Sequence, residues 1–260
     1  MLEWLFGQRK GLLKKEVSTE EFQWLDSAIW QAQHFTRQQR EQWIRWCRVF
    51  ISEKSWEGCE GLVVSDLMKW RISAAAGMMV LGYPDWYFDR TATILIYPRP
   101  YTARVEPPIF SSTFNATLGG EFRRAGETIY RGPVVLNWQD IQSAAADANQ
   151  GHHLIVHEFS HQLDLINGPA ADGLPPLPDG IDEDRWRKAM RAEYEVARDR
   201  ISQGHRILMD DYGLTHESEF FAVASELYFQ GPNALQEFHP NVYGLLKQFY
   251  LIDTATILPS

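Results

Sequence analysis

The sequence predicts an α+β protein in which a small mixed sheet packs against helices. Three observations lead to this fold class: apolar residues recur with helical spacing early in the chain, short β-branched and aromatic runs follow in the middle, and helical segments return in the last part. A chain of 260 residues, 45% of them hydrophobic, is long enough to bury a core. We expect a single domain, with a helical N-terminal region at about residues 1–85 and a core region at about 90–250.

The N-terminal region has helical periodicity in two segments. From about Thr19 to Ser52, apolar side chains, many of them Trp, fall on one helical face, and Arg and Gln fill the other. Such a face could bind a partner protein, but we interpret it as core, the commoner reason for an apolar stripe. Val64–Leu81 is the next predicted helix, with Ser65 as its N-cap and Gly82 as its stop. Its AAAG centre indicates the close approach of another element.

The middle of the chain predicts strands. Thr91–Tyr101 is rich in β-branched and aromatic residues and contains two prolines near its end. Thr117–Phe122 has the composition of a hairpin, and Val134–Trp138 predicts a second short strand.

Helices are predicted for most of the remaining chain. The stretch HLIVHEFSHQLDLING, His153–Gly168, contains a helix with an apolar face, and the Pro- and Gly-rich stretch Gly168–Ile181 predicts a surface loop. Asp182–Ile201 predicts a charged amphipathic helix, Ser218–Pro232 an apolar one, and a last helix begins at Asn241.

Composition excludes several functional classes. With 25 Lys and Arg against 34 Asp and Glu, the formal charge of −9 argues against binding of nucleic acid or of an anionic membrane. No stretch approaches the roughly 20 apolar residues of a membrane span, and the first residues lack the features of a signal peptide, so we expect a cytoplasmic protein. Cys47 and Cys59 are too few for a disulfide framework or a cysteine zinc site, and we expect both to be reduced.

The motif HEFSH, His157–His161, has the spacing of a catalytic zinc site. Two histidines four residues apart lie on one face of a helix, about 6 Å apart along its axis, so both can bind one tetrahedral zinc ion. Glu158 projects beside that ion, where it can take a proton from water and later give it to a leaving amine. The motif therefore predicts hydrolysis of peptide bonds, with a metal-free helix held by ordinary hydrogen bonds as the alternative.

A third protein ligand is required, and the sequence narrows the choice. Metzincins place Gly and His three and six residues after the second histidine, where this chain has Asp164 and Asn167, so that class is excluded. The other common plan takes a Glu from a later helix; the candidates are Glu183, Glu193, Glu195, Glu217, Glu219 and Glu226. Because Glu219 opens an otherwise apolar helix, it is favoured as ligand and Glu226, on the same face, as a supporting residue. A simple helix-cap role for Glu219 stays open.

HEFSHQLD, Tyr212 and the segment ESEFFAVASELYF together resemble the MtfA (Mlc titration factor A) family of bacterial zinc peptidases. The segments GLVVSDLMKWRISAAAGMMVLG, ILIYPRPY and GPVVLNW share this resemblance, which covers about residues 20–250. It implies a gluzincin-like peptidase core similar to that of anthrax lethal factor, in which the Glu of an EFFA segment binds zinc and a Tyr seven residues earlier lies at the metal.

The resemblance implies a role for five residues of this chain. His157, His161 and Glu219 would bind one Zn²⁺ ion, Glu158 would be the general base, and Tyr212 would donate its phenol to the developing oxyanion.

Two further predictions concern the surroundings of the metal. Asp164 matches the family pattern HExxHxxD and could orient a ligand histidine, although helix capping or a surface ion pair would also explain it. The Gly-Pro start of GPVVLNW suits an edge strand, so Val134, Val135 and Leu136 are expected to pair with an extended substrate backbone. A core strand without contact to substrate is the alternative.

Three functional hypotheses follow. The resemblance implies a zinc-dependent aminopeptidase that acts on peptides with small N-terminal residues. The second hypothesis is a regulatory protein that binds and sequesters an Mlc-like transcriptional repressor, with the zinc site secondary. The third is a structural protein without metal.

Overall fold

The computed structural model describes residues 2–83, 85–103, 122–124, 127–128, 130, 132–146 and 152–259. Its helices are α1 (Leu2–Lys14), α2 (Thr19–Ala28), α3 (Arg37–Glu53), α4 (Asp66–Met79), α5 (Trp138–Ala146), α6 (Leu154–Asp164), α7 (Glu183–Ser202), α8 (Glu217–Gln230), α9 (Pro232–Phe238), α10 (Pro240–Tyr250) and α11 (Thr254–Ile257). Its strands are β1 (Ser55–Gly58), β2 (Thr93–Tyr97), β3 (Tyr101–Ala103), β4 (Phe122–Arg124), β5 (Glu127–Thr128) and β6 (Val134–Asn137). Short 3₁₀ helices span Trp30–His34 and Asp211–Leu214.

The main sheet is small and mixed. Its strand order is β1-β2-β6-β5, with β1, β2 and β6 parallel and β5 antiparallel to β6, while β3 and β4 form a separate antiparallel pair. The centre of the sheet is apolar apart from the buried Asn137, since Ile94 and Ile96 of β2 are buried along with Val134, Val135 and Leu136 of β6. Helices cover this sheet, and the predicted α+β class is confirmed.

The predicted edge position of β6 is wrong for Val134 and Val135. β6 pairs with β2 on one side, and on the other Thr128 and Glu127 of β5 pair with Val134 and Val135. A two-residue strand has no periodicity that a sequence pattern could detect, and it covers the side of β6 that was expected to be open. Among the described strands of the main sheet, β1 and β5 are the outer ones, and β5 contacts α6.

The helix predicted over Thr19–Ser52 is interrupted. α2 ends at Ala28, a 3₁₀ turn follows, and α3 begins after Thr36, whose side chain forms a capping box with Gln39. Because Thr36 satisfies the free N–H groups of a new helix start, it divides one continuous apolar stripe into two helices.

The interpretation of the Trp-rich face as core is confirmed, since Trp43 and Trp46 are buried. The close approach predicted at AAAG is also present. A Cβ on Gly77 would lie 2.7 Å from Cε3 of Trp46 and 2.9 Å from Nε1 of Trp43, which itself donates to the Ala74 carbonyl at 2.9 Å. Glycine at position 77 therefore lets α3 and α4 approach closely.

Some predicted boundaries were correct and several elements were missed. Ser65 caps α4, as predicted, and Asp182, the first residue of the helix predicted over Asp182–Ile201, is the N-cap of α7. The strand predicted over Thr91–Tyr101 is shorter and followed by β3, and residues 117–121 of the predicted hairpin lie outside the described part of the chain. The sequence interpretation missed the N-terminal helix, the first strand and two short C-terminal helices, namely α1, β1, α9 and α11.

Two findings bear on the remaining expectations. Cys47 is buried with a free thiol, and Cys59 is half-buried with one. Among the described helices, none has the length and apolar character needed to cross a membrane.

α6 and α8 form the centre of the fold. Every residue of α6 is buried, as are residues 218–229 of α8. α6 packs against α8, α4 and the strands β5 and β6, and Phe159 stacks edge-on against Phe88, with ring centroids 4.8 Å apart. Polar side chains on these two helices are therefore removed from water and need partners on the neighbouring helix.

Candidate metal centre

Three side chains converge between α6 and α8. Nε2 of His157 lies 3.0 Å from Oε2 of Glu219, and Nε2 of His161 lies 3.3 Å from the same oxygen. All three residues are buried, and one potential ligand atom from each lies within 4.8 Å of those of the other two. Among the described residues, His157, His161 and Glu219 form the one group of three or more His, Cys, Asp or Glu side chains that are close enough together to hold a metal ion.

The spacing of these atoms fits tetrahedral zinc. Bonds of about 2.0–2.1 Å to imidazole and carboxylate ligands place neighbouring ligand atoms about 3.3 Å apart. Oε2 of Glu219 is buried and makes no hydrogen bond within the described residues, although two imidazole nitrogens lie close to it. A carboxylate oxygen and two ring nitrogens that face one point without bonding to one another form a suitable donor set for a divalent cation.

The charges at this site are strongly coupled. Burial on its own raises the pKa of Glu219, but His157 and His161 outweigh it, so the pKa lies well below its usual range. Burial lowers the pKa of His157, yet Glu219 and Glu226 raise it well above its usual value. The raised pKa of His157 and the lowered pKa of Glu219 mean that these two side chains stabilise each other's charge, and a bound divalent cation would displace the proton of His157.

Glu226 supports His157 from behind. Its Oε1 lies 2.7 Å from Nδ1 of His157, the nitrogen remote from Glu219. Its Oε2 lies 2.8 Å from Nδ1 of His152 and also accepts a hydrogen bond from the backbone N–H of His153. Burial opposes ionisation of Glu226, but the hydrogen bonds from His152 and His157 lower its pKa to about 2. Glu226 thus contacts His157 on the side away from Glu219, and its supporting role at a metal stays a prediction, whereas the sequence assigned no role to His152.

Glu158 and Tyr212 border the same site. Glu158 follows His157 on α6 and is 4% exposed. Tyr212 lies on the 3₁₀ helix Asp211–Leu214, with its ring 6.0 Å from that of His157 and 45% of the residue exposed. This turn is held against α8 because Gly213 packs on Val223, where an added Cβ would lie 3.1 Å away. Tyr212 is therefore both next to His157 and accessible from solvent.

Asp164 contacts the following loop. Its Oδ2 accepts a hydrogen bond of 2.9 Å from the backbone N–H of Gly173, and burial raises its pKa to about 6. The hydrogen bond expected from Asp164 to a ligand histidine is not formed, since Asp164 Oδ1 and His161 Nδ1 both lack a partner among the described residues. Any orienting role of Asp164 towards the metal stays a prediction.

The loop predicted at the surface, Gly168–Ile181, is partly buried, and that prediction is wrong for its centre. Gly173 and Leu174 are buried, and the Gly173 carbonyl accepts a hydrogen bond of 2.9 Å from Nε1 of Trp186. The apolar surface of α7 and α8 explains this, because it needs a cover that the Pro- and Gly-rich composition of the loop does not reveal.

The other carboxylates considered as ligands lie elsewhere. Each forms an ion pair with a side chain other than His157 or His161: Glu183 with Arg187, Glu193 with His239, and Glu195 and Glu217 with Arg191. Among the sequence candidates, Glu219 alone shares the cluster of ligand atoms with His157 and His161.

Comparison with known proteins agrees with this geometry. The model of a family described as glucose-regulated metallo-peptidase M90 matches residues 4–251. Mlc titration factor A of Serratia proteamaculans is 33% identical over 205 residues, 78% of this chain and 76% of that protein. Mlc titration factor A of Edwardsiella ictaluri is 32% identical over 218 residues, 83% and 81% of the two chains. An uncharacterized protein of Synechocystis sp. is 31% identical over 217 residues, 83% and 78% of the two chains.

Proposed function

The chain belongs to the M90 family of metallo-peptidases, and on that basis we propose that it hydrolyses peptide bonds at a zinc ion held by His157, His161 and Glu219. The observation that supports this most directly is the convergence of two Nε2 atoms and a buried carboxylate oxygen at distances suited to one tetrahedral ion. Imidazole and carboxylate ligands suit zinc among the common divalent ions, and three protein ligands leave a position for substrate.

Each neighbouring side chain has a proposed task. Zinc, when bound, polarises a carbonyl group and makes water more acidic. Glu158 accepts the proton of the attacking water and passes it to the leaving amine, for which its place next to His157 on α6 is suitable. Tyr212 donates its phenol to the oxyanion that forms from the scissile carbonyl, from the solvent side of His157. Glu226 holds His157 in the tautomer whose Nε2 lone pair is free for the metal.

We place substrate pairing at β5 instead of at β6. Within the described part of the main sheet, β5 is an outer strand that contacts α6, and a peptide added there would extend the sheet antiparallel or parallel beside the proposed zinc site. Val134 and Val135 already pair with β5 and would support that strand from within the sheet. We propose that the enzyme is an aminopeptidase that prefers small N-terminal residues, which the sequence resemblance supports. We also propose that it acts in the cytoplasm.

The names of two relatives favour a second candidate function, in which this chain binds an Mlc-like transcriptional repressor. The net charge of −9 suits a basic DNA-binding partner. The two functions are compatible. If Glu158→Gln protein lacks peptidase activity but still binds a repressor fully, repressor binding is independent of peptide hydrolysis.

Zinc content and peptide hydrolysis test the first function together. Purified protein is expected to contain about one equivalent of zinc and to cleave unblocked but not N-blocked peptides, and a chelator is expected to abolish cleavage. Glu158→Gln should retain zinc and lose hydrolysis, whereas Glu57→Gln, at an exposed position on β1, should behave as the wild type. Full activity in Glu158→Gln would refute the assignment of the base, and activity unchanged by complete zinc removal would refute the metal mechanism.

A further inference from the structure

The Glu226 carboxylate is held on both of its oxygens. Oε1 faces the ring of His157 at 2.7 Å, while Oε2 faces the ring of His152 at 2.8 Å and accepts from the backbone N–H of His153. Glu226 itself is 1% exposed. A buried carboxylate with three such contacts has little freedom to rotate.

We propose that His152 is a positioning residue for the metal: by binding Oε2 of Glu226, it fixes the carboxylate that orients His157 towards the ion. The proposal builds on the proposed zinc site but does not require peptidase activity. It gives a role to a residue that neither the sequence pattern nor the comparisons assign.

The hydrogen-bond chemistry determines how the effect is transmitted. A carboxylate only accepts, so the Nδ1 atoms of both His152 and His157 must donate to Glu226. Donation from Nδ1 leaves the lone pair of His157 on Nε2, the atom that lies 3.0 Å from Oε2 of Glu219. If the donor at position 152 is lost, Oε2 of Glu226 keeps only the backbone N–H of His153, and the buried carboxylate can turn away from His157.

A surface ion pair is the alternative explanation for His152, because its side chain is 49% exposed. Pairs at such positions contribute little to stability. The two explanations therefore differ in what they predict for the metal. A surface pair leaves zinc affinity unchanged, whereas a positioning contact lowers it by the roughly 10- to 100-fold that is typical for partners of metal-binding histidines.

The test measures zinc affinity by competition with a colorimetric chelator. Four single variants of the full-length protein are compared with the wild type. His152→Ala is expected to weaken zinc binding about 10-fold or more, by analogy with other supporting residues of metal sites. His152→Asn should recover most of this loss, because its amide N–H₂ can occupy the place of Nδ1–H, whereas the longer His152→Gln should not. His205→Ala, at an exposed position after α7, is the matched control and should bind zinc as the wild type does.

A double-mutant cycle tests whether the effect passes through Glu226. In a Glu226→Gln background, His152→Ala should cause little further loss of zinc affinity, because the carboxylate it positions is already absent. The absorption spectrum of the Co²⁺-loaded protein gives a second readout of ligand geometry, and His152→Ala should change it while His205→Ala should not.

Three outcomes would overturn the proposal. The first is equal zinc affinity in His152→Ala and His205→Ala, the second is full additivity in the cycle, and the third is no recovery in His152→Asn. Failure of the proposed peptidase function would instead appear as wild-type protein that binds zinc with His152-dependent affinity but cleaves no peptide.

Discussion

Gly173 joins the two helices that form the metal site, and Gly173→Ala is expected to destabilise the protein more than its backbone angle alone requires. The residue has a φ of +77°, its N–H donates to Asp164 at the end of α6, and a Cβ would lie 2.7 Å from the carbonyl oxygen of Glu217 at the start of α8. The perturbation therefore combines a conformational cost with a steric one.

The magnitude follows from these two contributions. An alanine forced into the left-handed region costs about 1–2 kcal/mol. Relief of a 2.7 Å contact with a backbone atom requires the loop or the first turn of α8 to move, at about 1–3 kcal/mol. Because Ala also restricts the unfolded chain, which offsets about 0.4–1 kcal/mol, the expected loss in free energy of unfolding is about 1–4.6 kcal/mol.

Gly204→Ala is the matched control. Gly204 has a φ of +78°, nearly the same angle, but no heavy atom outside its neighbours lies within 4 Å of the position that a Cβ would take. It should lose only the conformational contribution, about 1 kcal/mol. Urea unfolding followed by circular dichroism, with a chelator present to exclude metal linkage, compares the two. If the two variants lose the same free energy within about 0.5 kcal/mol, the uncertainty typical of comparing independent sites, the steric argument is wrong.

Three further predictions follow from the structure. Gly77→Ala should destabilise by about 1–2 kcal/mol, because the 2.7 Å approach to Trp46 outweighs the better helix propensity of Ala; a more stable variant in urea unfolding would contradict the close packing of α3 and α4. Burial lowers the pKa of Lys54 to about 8 from 10.5, so between these values the unfolded chain binds the extra proton and stability should rise with pH. This rise should disappear in Lys54→Met, and parallel stability profiles of the two proteins would refute it. In protein kept at a free zinc concentration 100 times the dissociation constant, removal of the zinc should lower the free energy of unfolding by about 2.7 kcal/mol and so lower the melting temperature. An unchanged melting temperature would contradict binding to the folded state.

The parts of the site that depend on one helix could be predicted from the sequence. The four-residue spacing of His157 and His161 determines that they share a face, whatever the rest of the fold. Glu219 was identified because a carboxylate among apolar residues on a buried helix needs a partner. The same argument identified Glu226, and the structure places both against the histidines of α6.

The parts that depend on contacts between distant segments could not be predicted. His152 gains its partner only when α8 packs beside α6, and nothing adjacent to it in sequence indicates this. β5 has two residues, too few to show the alternation of a strand, yet it changes β6 from an edge strand to an inner one. The burial of Gly173 was hidden for a similar reason, because the composition of a loop does not show which surface it covers.

Two sets of contacts hold α6 and α8 together, and each set lies near the start of one helix and the end of the other. Glu226, late in α8, accepts a hydrogen bond from the backbone of His153 at the start of α6, whereas Gly173 donates to Asp164 at the end of α6 and lies close to the backbone of Glu217 at the start of α8. The ligand atoms lie between these two ties. Since the ties share no residue, their effects on the metal should be independent.

The fold-loss of zinc affinity in the double variant His152→Ala/Gly173→Ala is therefore expected to equal the product of the fold-losses in the two single variants. A double variant no weaker than the weaker single variant would mean that both substitutions release the same movement of α8. In that case α6 and α8 would behave as one hinged pair that opens at either end, and the separate roles given to Glu226 and Gly173 would have to be merged.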